Sequence, residues 1–228
     1  MTSHSVAAIV TAAGASRRMG GPVKKEYRDL DGVPVLARAI LPFASSGIFE
    51  RIVVTVPPGD VARVESLLKP HLDLLTLRLV EGGGTRQESV FLGLRALSTD
   101  PPGVVLVHDG ARPWVDQDLI RRVIDATEAW GACVPVLEVT EAVKEVGDTG
   151  VILRHIPRRT IRLAQTPQGF LFERLFAAYR RACSEGASCA DDGEVFDLFG
   201  GTVAWIRGSE SNRKITVAAD LERAGSGP

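Results

Sequence analysis

The sequence predicts an α/β domain: a mostly parallel sheet, helices on both faces, and an inserted β-hairpin arm at 139–160. Three observations carry this. Short, continuously apolar, β-branched runs alternate with longer stretches of helical periodicity, as expected for βα units whose strands are buried on both sides. Three of these runs end in glycine-rich or charged segments, which in such sheets gather at the carboxyl edge where ligands bind. The rhythm breaks once, where alternating residues 141–146 and the apolar run 151–155 flank Gly147-Asp148-Thr149-Gly150, a hairpin signal.

The elements follow in order. Residues 6–11 form a buried strand running into Ala12-Ala13-Gly14, and 34–45 a helix with Leu36, Ile40 and Phe43 on one side. Residues 51–56 (RIVVTV) are a strand closed by Pro57-Pro58, 60–68 a helix, and 76–80 a strand ending in Glu81-Gly82-Gly83-Gly84. Helix 86–97 leads to strand 104–108 and then at once to Asp109-Gly110-Ala111-Arg112-Pro113. Helix 116–130 and strand 132–137 complete the regular part. Beyond the hairpin come helices 171–184 and 192–199, a strand at 202–206 and a terminal helix at 217–223. The hairpin has two readings, an arm for dimer contact or an edge hairpin folded on its own sheet. The whole of 1–228 reads as one domain, without repeats or long linkers.

Composition narrows the function. With 45% hydrophobic and 24% charged residues and a net charge of −1, no global field draws the chain to nucleic acid or to a membrane. Any phosphate site must come from local cations. No apolar stretch approaches a membrane span, and the N-terminus lacks the basic region of a signal peptide. Three cysteines without a CxxC pair suggest a reducing compartment, hence a cytoplasmic location, and neither a disulfide framework nor a zinc site.

Five segments carry polar chemistry. Residues 12–20 (AAGASRRMG), followed by Lys24 and Lys25, offer small residues for backbone approach to a polyphosphate, with Arg18 and Lys25 as fixed cations. The segment matches neither a Walker loop nor a dinucleotide fingerprint. Residues 82–89 (GGGTRQES) permit approach of a flat base, with Thr85 and Ser89 as candidate caps of the next helix. In 108–113 (HDGARP), Asp109 at a strand end suits a metal–phosphate pair or a substrate hydroxyl; a structural Asp109–Arg112 ion pair is the alternative, and His108 points to the core. Arg158, Arg159 and Arg162 precede QTPQGF (165–170), and Lys214 lies in NRKIT (212–216). Arginine suits bidentate phosphate recognition.

Together, AAGASRRMG…KKEY, EGGGTRQESV, VHDGARP, AQTPQGF and NRKIT closely resemble the 2-C-methyl-D-erythritol 4-phosphate cytidylyltransferases of the non-mevalonate isoprenoid pathway. The resemblance runs from residue 12 to 216. It implies a Rossmann-like nucleotidyltransferase fold, a homodimer clasped by the arm, and CMP transfer from CTP to the polyol phosphate with release of pyrophosphate. It implies Mg²⁺ carried mainly by the CTP phosphates, with no dedicated protein ligands. From the end of the sequence at residue 228, no fused downstream synthase is expected. The resemblance assigns Arg18 and Lys25 to the transition state and Ala12, Ala13, Gly14, Gly83, Gly84 and Ser89 to CTP. Arg158, Lys214, Asp109, Arg112 and Thr166 fall at the acceptor. Two family threonines are absent, replaced by Ala142 and Ala190. That leaves room for another polyol phosphate such as ribitol 5-phosphate; a catalytically silent nucleotide-binding dimer is the reading outside enzymes.

Overall fold

A computed structural model describes residues 4–14 and 23–224. The first part of the chain holds β1 (Val6–Thr11), the short pair β2 (Asp29–Leu30) and β3 (Val33–Pro34), α1 (Val35–Ala44), β4 (Phe49–Val56), α2 (Val61–Leu68) and β5 (Leu77–Glu81). The middle holds α3 (Arg86–Leu97), β6 (Val104–Asp109), α4 (Gln117–Trp130), β7 (Ala132–Glu138), β8 (Val143–Val146) and β9 (Ile152–Ile156). The last part holds β10 (Arg162–Ala164), β11 (Gln168–Leu171), α5 (Phe172–Glu185), α6 (Asp192–Phe199), β12 (Ala204–Arg207) and α7 (Ala218–Ala224).

Eight strands form one sheet in the order β10-β7-β11-β6-β1-β4-β5, with β12 also paired to β7. Strand β1 lies between β4 and β6 and runs parallel to both. Its residues are divided between the two faces. Val6, Ala8 and Val10 enter a core with α1, α2 and α4, while Ala7 and Ile9 enter a second core with α3, α5 and α6. Burial on both faces explains the continuous apolar run. Because β1 has neighbours on both sides, the chain reverses its direction of travel across the sheet there. The crevice outside the carboxyl ends of β1 and β6 is therefore the expected ligand position.

Besides the small pair β2–β3, two short strands of the main sheet depart from the sequence reading. β11 is antiparallel to both β6 and β7 and lies between them, and β10 pairs with the far half of β7. Neither announces itself. β11 is four residues long, contains Gly169 and follows Pro167, all signals against a central strand. The glycine is required by packing: a Cβ at Gly169 would lie 2.2 Å from Thr127 Oγ1 of α4.

The hairpin β8–β9 pairs only with itself and forms its own two-stranded sheet. It does not extend the main sheet. Val146, Val151, Ile152 and Leu153 on it are all at least half exposed. An isolated two-stranded hairpin is marginal in water, so this apolar surface calls for cover from outside its own sheet. Among the described residues, no helix is long and apolar enough to cross a membrane.

Candidate active site

The loops leaving β1, β5 and β6 meet at the crevice. Two glycines allow them to meet. A Cβ on Gly110 would lie 2.9 Å from the Thr11 carbonyl oxygen and 2.8 Å from Leu36; instead the Gly110 N–H donates to that carbonyl at 2.9 Å. A Cβ on Gly82 would come within 2.5 Å of Ala13 Cβ and 2.8 Å of Ser89 Oγ. Gly82 thus brings the end of β5 against the end of β1.

A cleft of about 220 Å³ opens between these loops, lined among others by Ala13, Gly14, Lys25, Ser89, Asp109 and Lys214. All six are site residues expected from the sequence. Arg18 falls outside the described residues. Lys25 Nζ donates to the Ile215 carbonyl at 2.9 Å, which ties the first basic segment to the NRKIT segment across the cleft. Lys24 Nζ donates to the Gly14 and Ala13 carbonyls at 2.8 and 3.3 Å and so holds the turn after β1.

Several expected residues stand elsewhere. Ala12 is a core residue whose N–H donates to Thr55 O. Gly83 and Gly84 are not on the cleft lining, and their N–H groups are taken by Ser89 Oγ and Glu88 Oε2. Ser89 is not the helix cap. Thr85 caps α3 in a reciprocal capping box with Glu88, while Ser89 Oγ donates to the Thr85 carbonyl. Arg112 lines an adjoining cavity of about 350 Å³ with Trp114, Gln165, Arg213 and Lys214. Lys214 faces both spaces. Arg158 is exposed at the base of the arm and is bonded to the Thr140 carbonyl. Within a single chain it does not line either space.

Asp109 is the electrostatic centre. Its Oδ1 accepts from Arg86 Nε at 3.0 Å and its Oδ2 from Lys214 Nζ at 2.7 Å, with Arg112 Nε at 3.6 Å. The Asp109–Arg112 pair is thus present, as one contact in a larger cluster. Burial by itself would raise the Asp109 carboxyl, but Arg86, Lys214 and Arg112 outweigh it and hold it well below the usual carboxylate range. Thr166 lies beneath Asp109 and is buried, its Oγ1 accepting from the Asp109 N–H at 3.0 Å and meeting His108 Nδ1 at 3.1 Å. Burial pushes the His108 imidazole down to about 4, against the pull of Asp109. The neutral ring that donates from Nε2 to the Arg112 carbonyl at 3.2 Å and accepts at Nδ1 satisfies both contacts.

Thr11, Glu26, Arg86, Ala111 and Thr216 also line the cleft but are not singled out by the sequence. Arg86 had a signal, a basic residue directly after a helix cap in the glycine segment. The others, small or neutral residues and the buried Glu26, are brought to the wall only by the fold.

The family model of 2-C-methyl-D-erythritol 4-phosphate cytidylyltransferase, IspD, matches residues 6–226. A Rhodopseudomonas palustris protein named bifunctional enzyme IspD/IspF is 40% identical over 223 residues, 97% of this chain and 55% of that one. The chain spans about half the length of the curated relatives it matches. Among solved structures, 4-diphosphocytidyl-2C-methyl-D-erythritol synthase from Anaerococcus prevotii superposes with a TM-score of 0.84 at 26% identity, covering 97% of this chain and 95% of that one. The 2-C-methyl-D-erythritol 4-phosphate cytidylyltransferase of Thermus thermophilus does so with 0.76 at 31% identity, covering 96% of each. The fold is thus that of the nucleotidyltransferases, and the chain belongs to the 2-C-methyl-D-erythritol 4-phosphate cytidylyltransferase family.

Proposed function

We propose that this protein transfers CMP from CTP to 2-C-methyl-D-erythritol 4-phosphate, giving 4-CDP-2-C-methyl-D-erythritol and pyrophosphate. The observation that carries this reading is the cleft itself. Small residues of the β1 turn, Ser89 and the Asp109–Lys214 pair line one space. A nucleotide and a phosphorylated acceptor would meet in it.

The chemistry needs no general base, because the acceptor phosphate is already a nucleophile. One of its oxygens attacks the α-phosphorus of CTP, the new P–O bond forms, and the bond to pyrophosphate breaks. The obstacle is repulsion between anions. We assign Lys25 and Arg18 to offset it, by charge placed where it grows in the transition state. Loss of either should cost roughly 3 kcal/mol of transition-state stabilisation. Lys214, Arg112 and Arg158 hold the attacking group in line, with Asp109 and Thr166 supporting them. Ala12, Ala13, Gly14, Gly83, Gly84 and Ser89 shape the CTP segment, partly through packing.

Among the described residues no group of three His, Cys, Asp or Glu could hold a metal. Asp109 and Glu26 are the carboxylates on the cleft wall, and both oxygens of Asp109 already take cations. This donor set fits an ion that arrives on the triphosphate and keeps its waters. Bound that way, Mg²⁺ supplies further charge neutralisation at the phosphates.

The exposed apolar hairpin supports a homodimer clasped by the 139–160 arm, which would bring Arg158 to the neighbour's acceptor side. The near-neutral net charge and the absence of CxxC pairs support a cytoplasmic enzyme without nucleic-acid or membrane partners. Ala142 and Ala190 favour a second reading, a different polyol phosphate such as ribitol 5-phosphate. Each missing hydroxyl would weaken binding of the first acceptor by about 1 kcal/mol. Pyrophosphate release with CTP, Mg²⁺ and each acceptor in parallel decides between them. Turnover of 2-C-methyl-D-erythritol 4-phosphate alone upholds the proposal. Turnover of ribitol 5-phosphate alone replaces the substrate, and silence with both points to a non-catalytic nucleotide-binding dimer.

A further inference from the structure

Arg86 occupies the first position of α3, directly after the Thr85 cap, so its backbone is fixed by the capping box. Its side chain crosses the cleft wall. Nε donates to Asp109 Oδ1 at 3.0 Å, and the two terminal nitrogens donate to Asp192 Oδ1 and Oδ2 at 3.1 and 2.7 Å. Asp192 lies in the first turn of α6 and is fully buried. Its Oδ1 also accepts from the Tyr179 hydroxyl of α5 at 2.5 Å. Asp192, Arg86, Asp109 and Lys214 therefore form a chain of alternating charge, anchored at one end in two helices and ending at the ammonium that faces both cavities.

We infer that Arg86 is a positioning residue for the acceptor phosphate, acting through Asp109 on Lys214. Two physical effects point the same way. A bidentate guanidinium–carboxylate pair is planar and directional, so Asp192 fixes Arg86; the single bond from Arg86 Nε then holds Asp109 Oδ1 and leaves Oδ2 for Lys214 Nζ. In addition, Arg86 shares the negative charge of Asp109. Without it, that full charge would compete with an incoming phosphate for the same ammonium. Arg86 thereby joins the glycine segment at 82–89 to the acceptor side of the cleft. The inference rests on the proposed function for the identity of the acceptor, but not for the presence of a phosphate site at Lys214.

The test compares the wild-type protein with Arg86→Lys, Arg86→Gln and the pair Arg86→Gln/Asp192→Asn. The pair avoids leaving Asp192 as an uncompensated buried charge and keeps an acceptor for Tyr179, so it carries the test if the single variant fails to fold. In the pyrophosphate assay the KM for the polyol phosphate should rise about tenfold or more in the glutamine variants, with kcat and the KM for CTP within about threefold of wild type. Arg86→Lys should fall between. An unchanged acceptor KM in a folded variant would overturn the inference, as would a parallel loss in kcat and both KM values, the mark of a merely structural role. Titration of inorganic phosphate reads the same site without turnover. Its Kd should rise in parallel, and equal Kd values for wild type and the pair would overturn the inference even if the wild type turned over neither polyol phosphate. Silence of the wild type with both acceptors would count against the proposed function alone.

Discussion

Acidification should remove a defined part of the stability through one residue, His108. The ring is fully buried at the end of β6, 5.1 Å from the Phe43 ring, with Thr166 Oγ1 on one nitrogen and the Arg112 carbonyl on the other. Burial lowers its pKa from 6.5 to about 4. The unfolded chain therefore takes up a proton on this residue at a pH where the folded protein does not. The stability this supplies is fully present above about 6.5 and is lost as the pH falls toward about 4. Each pH unit across that window is worth about 1.4 kcal/mol, so acidification through it removes roughly 3 kcal/mol. Urea unfolding at stepped pH values reads the loss. Nitrogen-15 NMR of the imidazole, assigned by its disappearance in His108→Gln, reads the protonation. A ring that remains in the neutral form with Nε2 protonated down to pH 5 is expected. A His108 resonance that titrates near 6.5 would refute the reasoning, because burial would then not be holding the ring neutral.

Other perturbations have equally definite outcomes. Asp109→Asn removes a carboxylate shared by three cations and should cost about 3 kcal/mol in urea unfolding at pH 7; the gap to wild type should narrow below about pH 4, where the wild-type carboxylate begins to lose its advantage. Gly169→Ala places a methyl group 2.2 Å from Thr127 Oγ1 and should lower stability by about 1–3 kcal/mol, with partial recovery in a thermal melt when Thr127→Ala is added. Thr85→Ala deletes the α3 capping box and should cost about 1 kcal/mol. Leu153→Glu charges the exposed face of the hairpin; under the proposed arm, sedimentation should show a shift from dimer to monomer with loss of turnover, and a monomer with full activity would exclude a role for the partner subunit's arm.

The sequence by itself determined the α/β alternation, because strands buried on both faces must be continuously apolar and helices packed on one side must repeat every three to four residues. It also determined the hairpin and marked part of the lining of the cleft, Lys25, Ser89, Asp109 and Lys214 among them. Phosphate sites in such sheets use glycine turns and cations at strand ends, and these leave local marks in AAG, HDGARP and NRKIT. Only the tertiary structure decided the rest. β10 and β11 are strands because β6 and β7 offer them hydrogen-bonding edges, not because QTPQGF favours extension. Ala12 turned out to be core and Thr166 to lie under Asp109, since motif membership does not say which way a side chain faces. Arg86 carried a local mark after the Thr85 cap, but its pairing with Asp192, 106 residues away, came only with the fold. Pairing between distant charges depends on where the fold places two helices, and no local pattern in the chain records that distance.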